Sequence, residues 1–322
     1  MPQPAITKER VTEILSQLYT AGYPHCTLEE AARQIGLQRN TASHYVNEFA
    51  RRFGIEVLKP GMIDNQIRKA YQGRLELRID NGVVIPFSDT HYWPGEASTA
   101  HRALLECIKE FTPRLVVANG DMFDGASISR FPRIGWQNAP TVKQELEAVT
   151  ERLAEVEVAA RHAHKVWCLG NHDARFETFL AANAPQYEGM PGFHLKDHFP
   201  AWLPSWSLHV NNTLAIKHRW RGGIHAARNN AIHGGMSVCT GHLHTLVVAP
   251  VTDYNGTRWG IDCGTLADFP GPQFTDYTED NCTGWRSGFP VLTFRQGRLM
   301  QPELVQVLEP GVVMFRGKTY CV

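Results

Sequence analysis

At 322 residues the chain is long enough for one large core plus a small appended domain, because domains commonly run to about 100 to 200 residues. Lysine plus arginine equals aspartate plus glutamate, 32 of each, which excludes a global field drawing the protein to nucleic acid or an anionic membrane; any polyanion must be held by a local patch. Seven widely spaced cysteines with no CxxC pair exclude a disulfide framework or zinc knuckle and favour a reducing compartment, while the lack of a basic-then-apolar leader or an apolar run near ~18 residues points to a soluble, cytoplasmic protein with no membrane partner.

From Ile6 to Phe53 apolar residues recur at helical spacing: Val11, Ile14, Leu15 and Leu18, then Leu28, Ala31, Ala32 and Ile35, then Ala42, Val46 and Phe49. Three short helices are expected. Gly22 and Pro24 separate the first two, Thr27 with Glu30 has the spacing of a capping box, and Gly36 closes the second helix. TLEEAARQIGLQRNTASHYVNEFARR therefore has the form of a helix-turn-helix, with Arg39, Asn40, Thr41, Ser43, His44 and Asn47 on the polar face of its recognition helix, where they could contact DNA. A three-helix scaffold or protein-docking module gives the same pattern, and residues 1 to 60 carry only one excess positive charge, but Arg39, Arg51 and Arg52 cluster along the third helix and favour DNA. The expected division is a helix-turn-helix domain over residues 1–58, a linker over 59–73 punctuated by Pro60 and Gly61, and a second domain over 74–322. Helix-turn-helix modules often work as dimers, so an oligomer is compatible with this plan.

After Gly73, β-rich runs alternate with helices: LELRI, VVIPFSD, a helix over 96–111, RLVVANGD, a helix over 142–162, KVWCLGN and a helix over 174–182. The alternation implies a layered α/β core. Past His198 strands dominate, with Asn255-Gly256 as a two-residue hairpin signal, and FPVLTFRQ and ELVQVLEP are expected to complete the sheet. The chemistry sits at strand ends: Asp89 and His91 after VVIPFS, Asp121 and Asp124 after RLVVANG, Asn171, His172 and Asp173 after KVWCLG, His218 after TLAIK, and His242 and His244 after MSVCTG. In a layered α/β fold such ends gather at one sheet edge. Carboxylates and imidazoles are what zinc, manganese, iron and nickel accept. Two such ions about 3.5 to 4 Å apart can activate a bridging hydroxide and stabilise an in-line displacement at phosphorus, with a separate acid for the leaving group.

The ordered blocks DTH, GDMFD, GNHD, His218 and GHLH resemble the calcineurin-like metallophosphoesterase superfamily over roughly residues 83 to 266. The resemblance implies a β-sandwich of two mixed sheets flanked by helices. It also implies that one metal is held by Asp89, His91, Asp121 and His244 and the other by Asp121, Asn171, His218 and His242, with Asp121 the bridge, His172 the general acid and Asp124 orienting it. Manganese suits the set best, with iron, zinc or nickel as alternatives. At His218 the family usually shows histidine followed by glycine, whereas this chain reads IKHRWRGG, and His225 and His233 compete for the role. Gly125 and Asp173 stand where protein-serine/threonine phosphatases carry arginine and glutamate, which disfavours that activity. The chain is similar to phage and prophage members with an N-terminal helix-turn-helix, which implies the cytoplasm of a bacterium or of a phage-infected host. The superfamily includes recombination-repair nucleases.

These features lead to an expected metal-dependent phosphoesterase, a phosphodiesterase or nuclease acting on DNA. The alternatives are a small-molecule or nucleotide phosphatase and a DNA-binding regulatory or structural protein with an inactive phosphoesterase domain. Candidate substrate contacts are Arg130, Arg133 and Trp136 in SISRFPRIGW, then Arg175, Arg219 and Arg221; each suits a phosphate or base, and equally a surface salt bridge or loop anchor. His101, His162, His164, His194, His198 and His209 lack ligand spacing, and Cys168 and Cys239 are expected as core fillers.

Overall fold

A computed structural model of the chain describes residues 7–23, 26–53, 71–131, 139–269, 271–274, 278 and 281–322. The chain divides into two compact units, Met1–Tyr71 and Gln72–Val322. The expected linker falls almost entirely outside the described residues.

The first unit contains α1 (Lys8–Thr20), α2 (Leu28–Gln34) and α3 (Arg39–Phe53). The Thr27 side chain accepts from the Glu30 backbone while the Glu30 carboxylate accepts from the Thr27 backbone, so the capping box that opens α2 is complete. Gly36, at φ +72°, ends it. Ile14, Leu15 and Leu18 of α1 meet Ala31 and Ala32 of α2 and Ala42 and Val46 of α3 in one small core. Arg39, Asn40, Thr41, His44 and Asn47 are exposed on α3, and Ser43 is half-buried.

The second unit is a sandwich of two mixed sheets. The first sheet has the order β1-β6-β7-β8-β10-β9, made of β1 (Leu75–Leu77), β6 (Leu208–Val210), β7 (Leu214–Ile216), β8 (Ser237–Thr240), β10 (Gly256–Asp262) and β9 (Val247–Asp253). The second has the order β15-β14-β13-β11-β2-β3-β4-β5, with β12 (Arg298–Leu299) beside β11. Its strands are β2 (Gly82–Phe87), β3 (Leu115–Ala118), β4 (His164–Cys168), β5 (Leu203–Ser205), β11 (Gly288–Arg295), β13 (Glu303–Glu309), β14 (Val312–Phe315) and β15 (Lys318–Cys321). Between the sheets Val84, Leu115, Val117, Val166, Cys168 and Phe294 face Leu208, Val210, Leu214, Ile216, Cys239 and Ile261. Central β3 is buried on both faces, which explains its unbroken apolar run LVVA. Helix α4 (Thr99–Phe111) packs on β11, β13 and β14 of the larger sheet, α5 (Val142–Ala159) packs on α4, and α8 (Ala226–Gly234) packs on β8, β9 and β10. Among the described residues the other α-helices are α6 (Asp173–Asn183) and the short α7 (Leu195–His198).

Two details differ from the sequence reading. The β9–β10 turn consists of Tyr254 and Asn255, one residue earlier than expected; Asp253 Oδ1 accepts from the Asn255 backbone, and Gly256, at φ +106°, opens β10. Helix α8 sits within the strand-rich half, because AARNNAIHG has too little amphipathic contrast to announce itself. No helix among the described residues is long and apolar enough to cross a membrane.

β2, β3 and β4 run parallel, as do β7 and β8, so their C-terminal ends lie at one edge of each sheet. The chemistry-bearing residues follow those ends. Truncating Phe294, buried between the sheets, to alanine should lower stability by about 3 to 5 kcal/mol in urea unfolding; a loss under about 1 kcal/mol would mean that the ring does not fill the inter-sheet core.

Candidate metal centre

Past Phe87 the chain turns under tight control. Ser88 Oγ donates to the Asn119 carbonyl at 2.7 Å and to Asp89 Oδ2 at 2.5 Å, joining the β2 and β3 loops. The backbone is left-handed at Asp89 (φ +53°), His91 (φ +40°), Asp121 (φ +54°), His242 (φ +75°) and His244 (φ +59°). Such conformations strain a non-glycine residue and turn its side chain away from the strand direction. The loops also press together: a Cβ on Gly170 would overlap the Asp121 carboxylate, and one on Gly241 would overlap Ser88 Oγ. These contacts are why GNHD and GHLH each begin with glycine.

The result is two compact donor groups. Asp89, His91 and His244 offer ligand atoms within 4.8 Å of one another, and so do Asp121, His218 and His242. Asp89 Oδ1 lies 3.0 Å from His244 Nε2, while Asp89 Oδ2 accepts from the His242 backbone at 2.8 Å. At the fourth block His218 is buried in the second group, whereas His225 and His233 are exposed and belong to no such group among the described residues. The His218 ring occupies the space a Cβ on Gly120 would need.

The tautomers follow from the hydrogen bonds. His218 Nδ1 donates to the Asn119 carbonyl at 2.8 Å, and His91 Nδ1 lies 2.8 Å from Asp124 Oδ1, which leaves Nε2 of each ring to face inward. Both Nε2 atoms, and Oδ1 of Asn171, are buried without a hydrogen-bond partner. His218 Nε2 stands 3.0 Å from Asp121 Oδ2, so a neutral ring would aim a lone pair at a carboxylate. Only a positive charge resolves that opposition. Burial opposes the imidazolium, but Asp121 and Asp89 outweigh it and push the His218 pKa up to about 10. Burial likewise disfavours charge on Asp89, yet His244 and His218 hold its carboxyl at about 2. This donor set, with oriented imidazole nitrogens and no thiolate, fits divalent cations.

A second arrangement adjoins the first. His172 Nδ1 lies 3.0 Å from Asp124 Oδ1, and its Nε2 lies 3.9 Å from Asp121 Oδ2. Burial lowers the His172 pKa, but Asp121 and Asp124 outweigh it and raise the group above its ordinary value, with Arg175 working against them. Arg175 is half-buried and turned inward: Nη1 donates to the Asp124 carbonyl at 2.9 Å and Nη2 lies 3.2 Å from His172 Nε2.

A calcineurin-like phosphoesterase family model matches residues 83–257, more than half of the chain. The chain belongs to that family. It is accordingly a metal-dependent phosphoesterase, and the His/Asp groups are where divalent ions would be held. No curated protein matches it. Among solved structures 39 chains match. One, described as a novel archaeal phosphodiesterase, is 16% identical over 70% of this chain and 99% of that chain, with a TM-score of 0.35.

What other residues of this phosphoesterase do was not evident from sequence. Asp173, which the sequence placed at a strand end and in a position where protein phosphatases carry glutamate, is buried and accepts from five donors: the backbones of Asp121, Met122, Phe123 and Gly170 and the Trp167 indole. It ties the GDMFD loop to the GNHD loop. Glu145 of α5 accepts from the Gly125 and Ala126 backbones, steadying the residues after Asp124. Asp262 accepts from the Thr245 and Gly264 backbones beside His244. Phe274 and Trp285 wall the imidazole side, with ring centroids 5.2 Å from His91 and 4.1 Å from His244 respectively. A pair of aromatics in an otherwise motif-free segment was the sole available signal.

Of the expected substrate contacts, Arg130 is exposed with its guanidinium 5.0 Å from the Phe131 ring centroid, and Arg219 is exposed close enough to His242 to lower its pKa, after the larger effects of burial and His218. Arg133 and Trp136 lie outside the described residues. The discounted His101 is fully buried in a chain from Tyr92 to Glu155, a structural role, and Cys168 and Cys239 are core.

Replacing Asp173 with asparagine turns an acceptor into a donor that faces N–H groups, so stability should fall by about 1.5 to 3 kcal/mol and manganese affinity with it, read by thermal unfolding and calorimetric titration; unchanged manganese binding would show that the two loops hold together without it. Burial and Asp124 push the Glu145 carboxyl up to about 7 from 4.5. A raised carboxyl stabilises the fold below its unfolded pKa, and the contribution is lost as pH rises through the folded value. Wild type should therefore lose stability relative to Glu145→Gln between pH 4.5 and 7. Parallel pH profiles would contradict this.

Proposed function

We propose that this phosphoesterase is a dinuclear phosphodiesterase that cleaves DNA, working with manganese in preference to iron, zinc or nickel. Asp89, His91, Asp121 and His244 would hold one ion and Asp121, Asn171, His218 and His242 the other, with Asp121 shared. What supports this reading is the convergence of two donor groups on one point with the His172–Asp124 pair beside them. Bound ions would supply Lewis acidity toward a phosphoryl group and toward water.

The chain's own groups account for the rest. Asp124 accepts from Nδ1 of His172 and fixes the ring, so that Nε2 faces the leaving oxygen and can hand it a proton. Asp121 and Asp124 keep that ring protonated to higher pH than usual. Phe274 and Trp285 shield the His91 and His244 side from water. Gly125 and Asp173 occupy the positions that argue against protein phosphatase activity.

DNA is favoured by the N-terminal unit, which we interpret as a helix-turn-helix: three helices on one core, with Arg39, Asn40, Thr41 and His44 exposed on the third and Ser43 half-buried beside them. Seven cysteines, all unbridged, favour a reducing cytoplasm.

Metal-free protein titrated with manganese should gain hydrolysis of bis-p-nitrophenyl phosphate and of DNA. His172→Ala should lower kcat by about 10²- to 10⁴-fold while manganese still binds, and Asp121→Asn should lose both. Turnover of p-nitrophenyl phosphate or nucleotides with no cleavage of DNA or the bis ester would replace this reading with a small-molecule phosphatase.

A further inference from the structure

From His198 to Thr252 the chain contains no aspartate or glutamate, although acids and bases balance over the whole sequence. Lys217, Arg219, Arg221 and Arg228 fall within that stretch, and none of them forms an ion pair with a described acidic residue. Lys217, Arg219 and Arg221 flank His218 just after β7, and Arg228 lies in the helix that follows. The buried imidazole faces the metal centre, and the next residues turn outward: Arg219, Trp220 and Arg221 are exposed, and so is Arg228 on the first turn of α8.

Trp220 is 44% exposed yet held in place. Its ring lies over the end of α8, where a Cβ on Gly234 would come within 3.2 Å of it, and Lys217 Nζ is 5.4 Å from the ring centroid. The loop is pinned again where the Arg221 backbone donates to Asn230 Oδ1 at 3.3 Å. A packed, half-exposed aromatic ring among cations that pair with no described acidic residue is complemented by a base with phosphates on either side, and an unpaired strand offers such a base face. Arg219 joins this surface to the centre, since it directly follows the buried His218 and is itself exposed.

We infer that the loop following His218 is a track for single-stranded nucleic acid, with Trp220 stacking on a base and Lys217, Arg219, Arg221 and Arg228 contacting the backbone phosphates that lead to the metal centre. The inference rests on the phosphodiesterase reading and narrows its substrate from DNA in general to an unpaired strand. The charge is local, so the neutral composition and the track are compatible.

The test uses the full-length protein in a His172→Ala background with manganese, so that a fluorescein-labelled 20-nucleotide oligothymidylate survives while its anisotropy is followed. Arg221→Ala/Arg228→Ala should flatten the dependence of log Kd on log salt by about 1.4, from roughly 0.7 for each phosphate contact on a single strand. Trp220→Ala should weaken binding about tenfold, with little effect on a duplex of equal length. In the His172-intact protein, both variants should lower the ratio of kcat/KM for the strand to kcat/KM for bis-p-nitrophenyl phosphate about tenfold.

Unchanged affinity and salt slope would overturn the track, including the case in which this face receives a protein. Equal losses on duplex and single strand would overturn stacking as its basis. Equal losses on strand and small ester would show that the loop only positions His218 and His242. Hydrolysis of the bis ester by the unmodified protein establishes the underlying activity independently, so failure of the track and failure of the phosphodiesterase reading are distinguishable.

Discussion

Asp89 and Asp121 are carboxylates with essentially no contact with solvent, close enough for each to disfavour the other's charge. Inside a protein that proximity is severely unfavourable unless positive charge stands between and around them. Much of the local architecture answers this constraint. Imidazoles approach from three other loops, Ser88 and the His242 backbone donate to Asp89, and the Asp121 carboxylate accepts from the His172 backbone. The sandwich supplies the geometry: parallel β2, β3 and β4 deliver the carboxylates and His172 to one edge, and β7 and β8 deliver further imidazoles.

Sequence revealed the parts of this site that carry chemistry in their own side chains. Apolar runs followed by GD, GNHD or GHLH announce both the strand and what lies beyond it; the layered α/β core and the gathering of strand ends followed from those runs, and the sandwich from the family resemblance that the motifs carry. His218 ends an apolar strand, and its ring is buried beside Asp121 and His242 while His225 and His233 are exposed. Asp173 and Glu145 remained hidden for a physical reason. They work by accepting backbone N–H groups from residues far off in sequence, and no pattern of side-chain types records a backbone partner. Phe274 and Trp285 were equally silent, since an aromatic residue reads as core until its neighbour is known to be a histidine of the centre.

The two flanks of the centre differ in character. On the His91 and His244 side the walls are aromatic, so fields there are weakly screened. On the His218 and His242 side the surface is open and cationic, with no acidic residue nearby in sequence. Under the proposed function, an extended anion would enter from the open side and meet His172 within a more enclosed region. Arg175 occupies the junction, tied to both Asp124 and His172, and thereby couples the orientation of the acid to the charge distribution around it.

The left-handed backbone at Asp89, His91, Asp121, His242 and His244 sets folding and ligation against each other at the same residues. Each such conformation costs about 1 to 3 kcal/mol, a sum that is large beside the net stability of a typical domain. Glycine at any of these places would relieve the strain and at the same time remove a candidate ligand, so the backbone here is shaped by the side chains it has to aim rather than by what folds most readily.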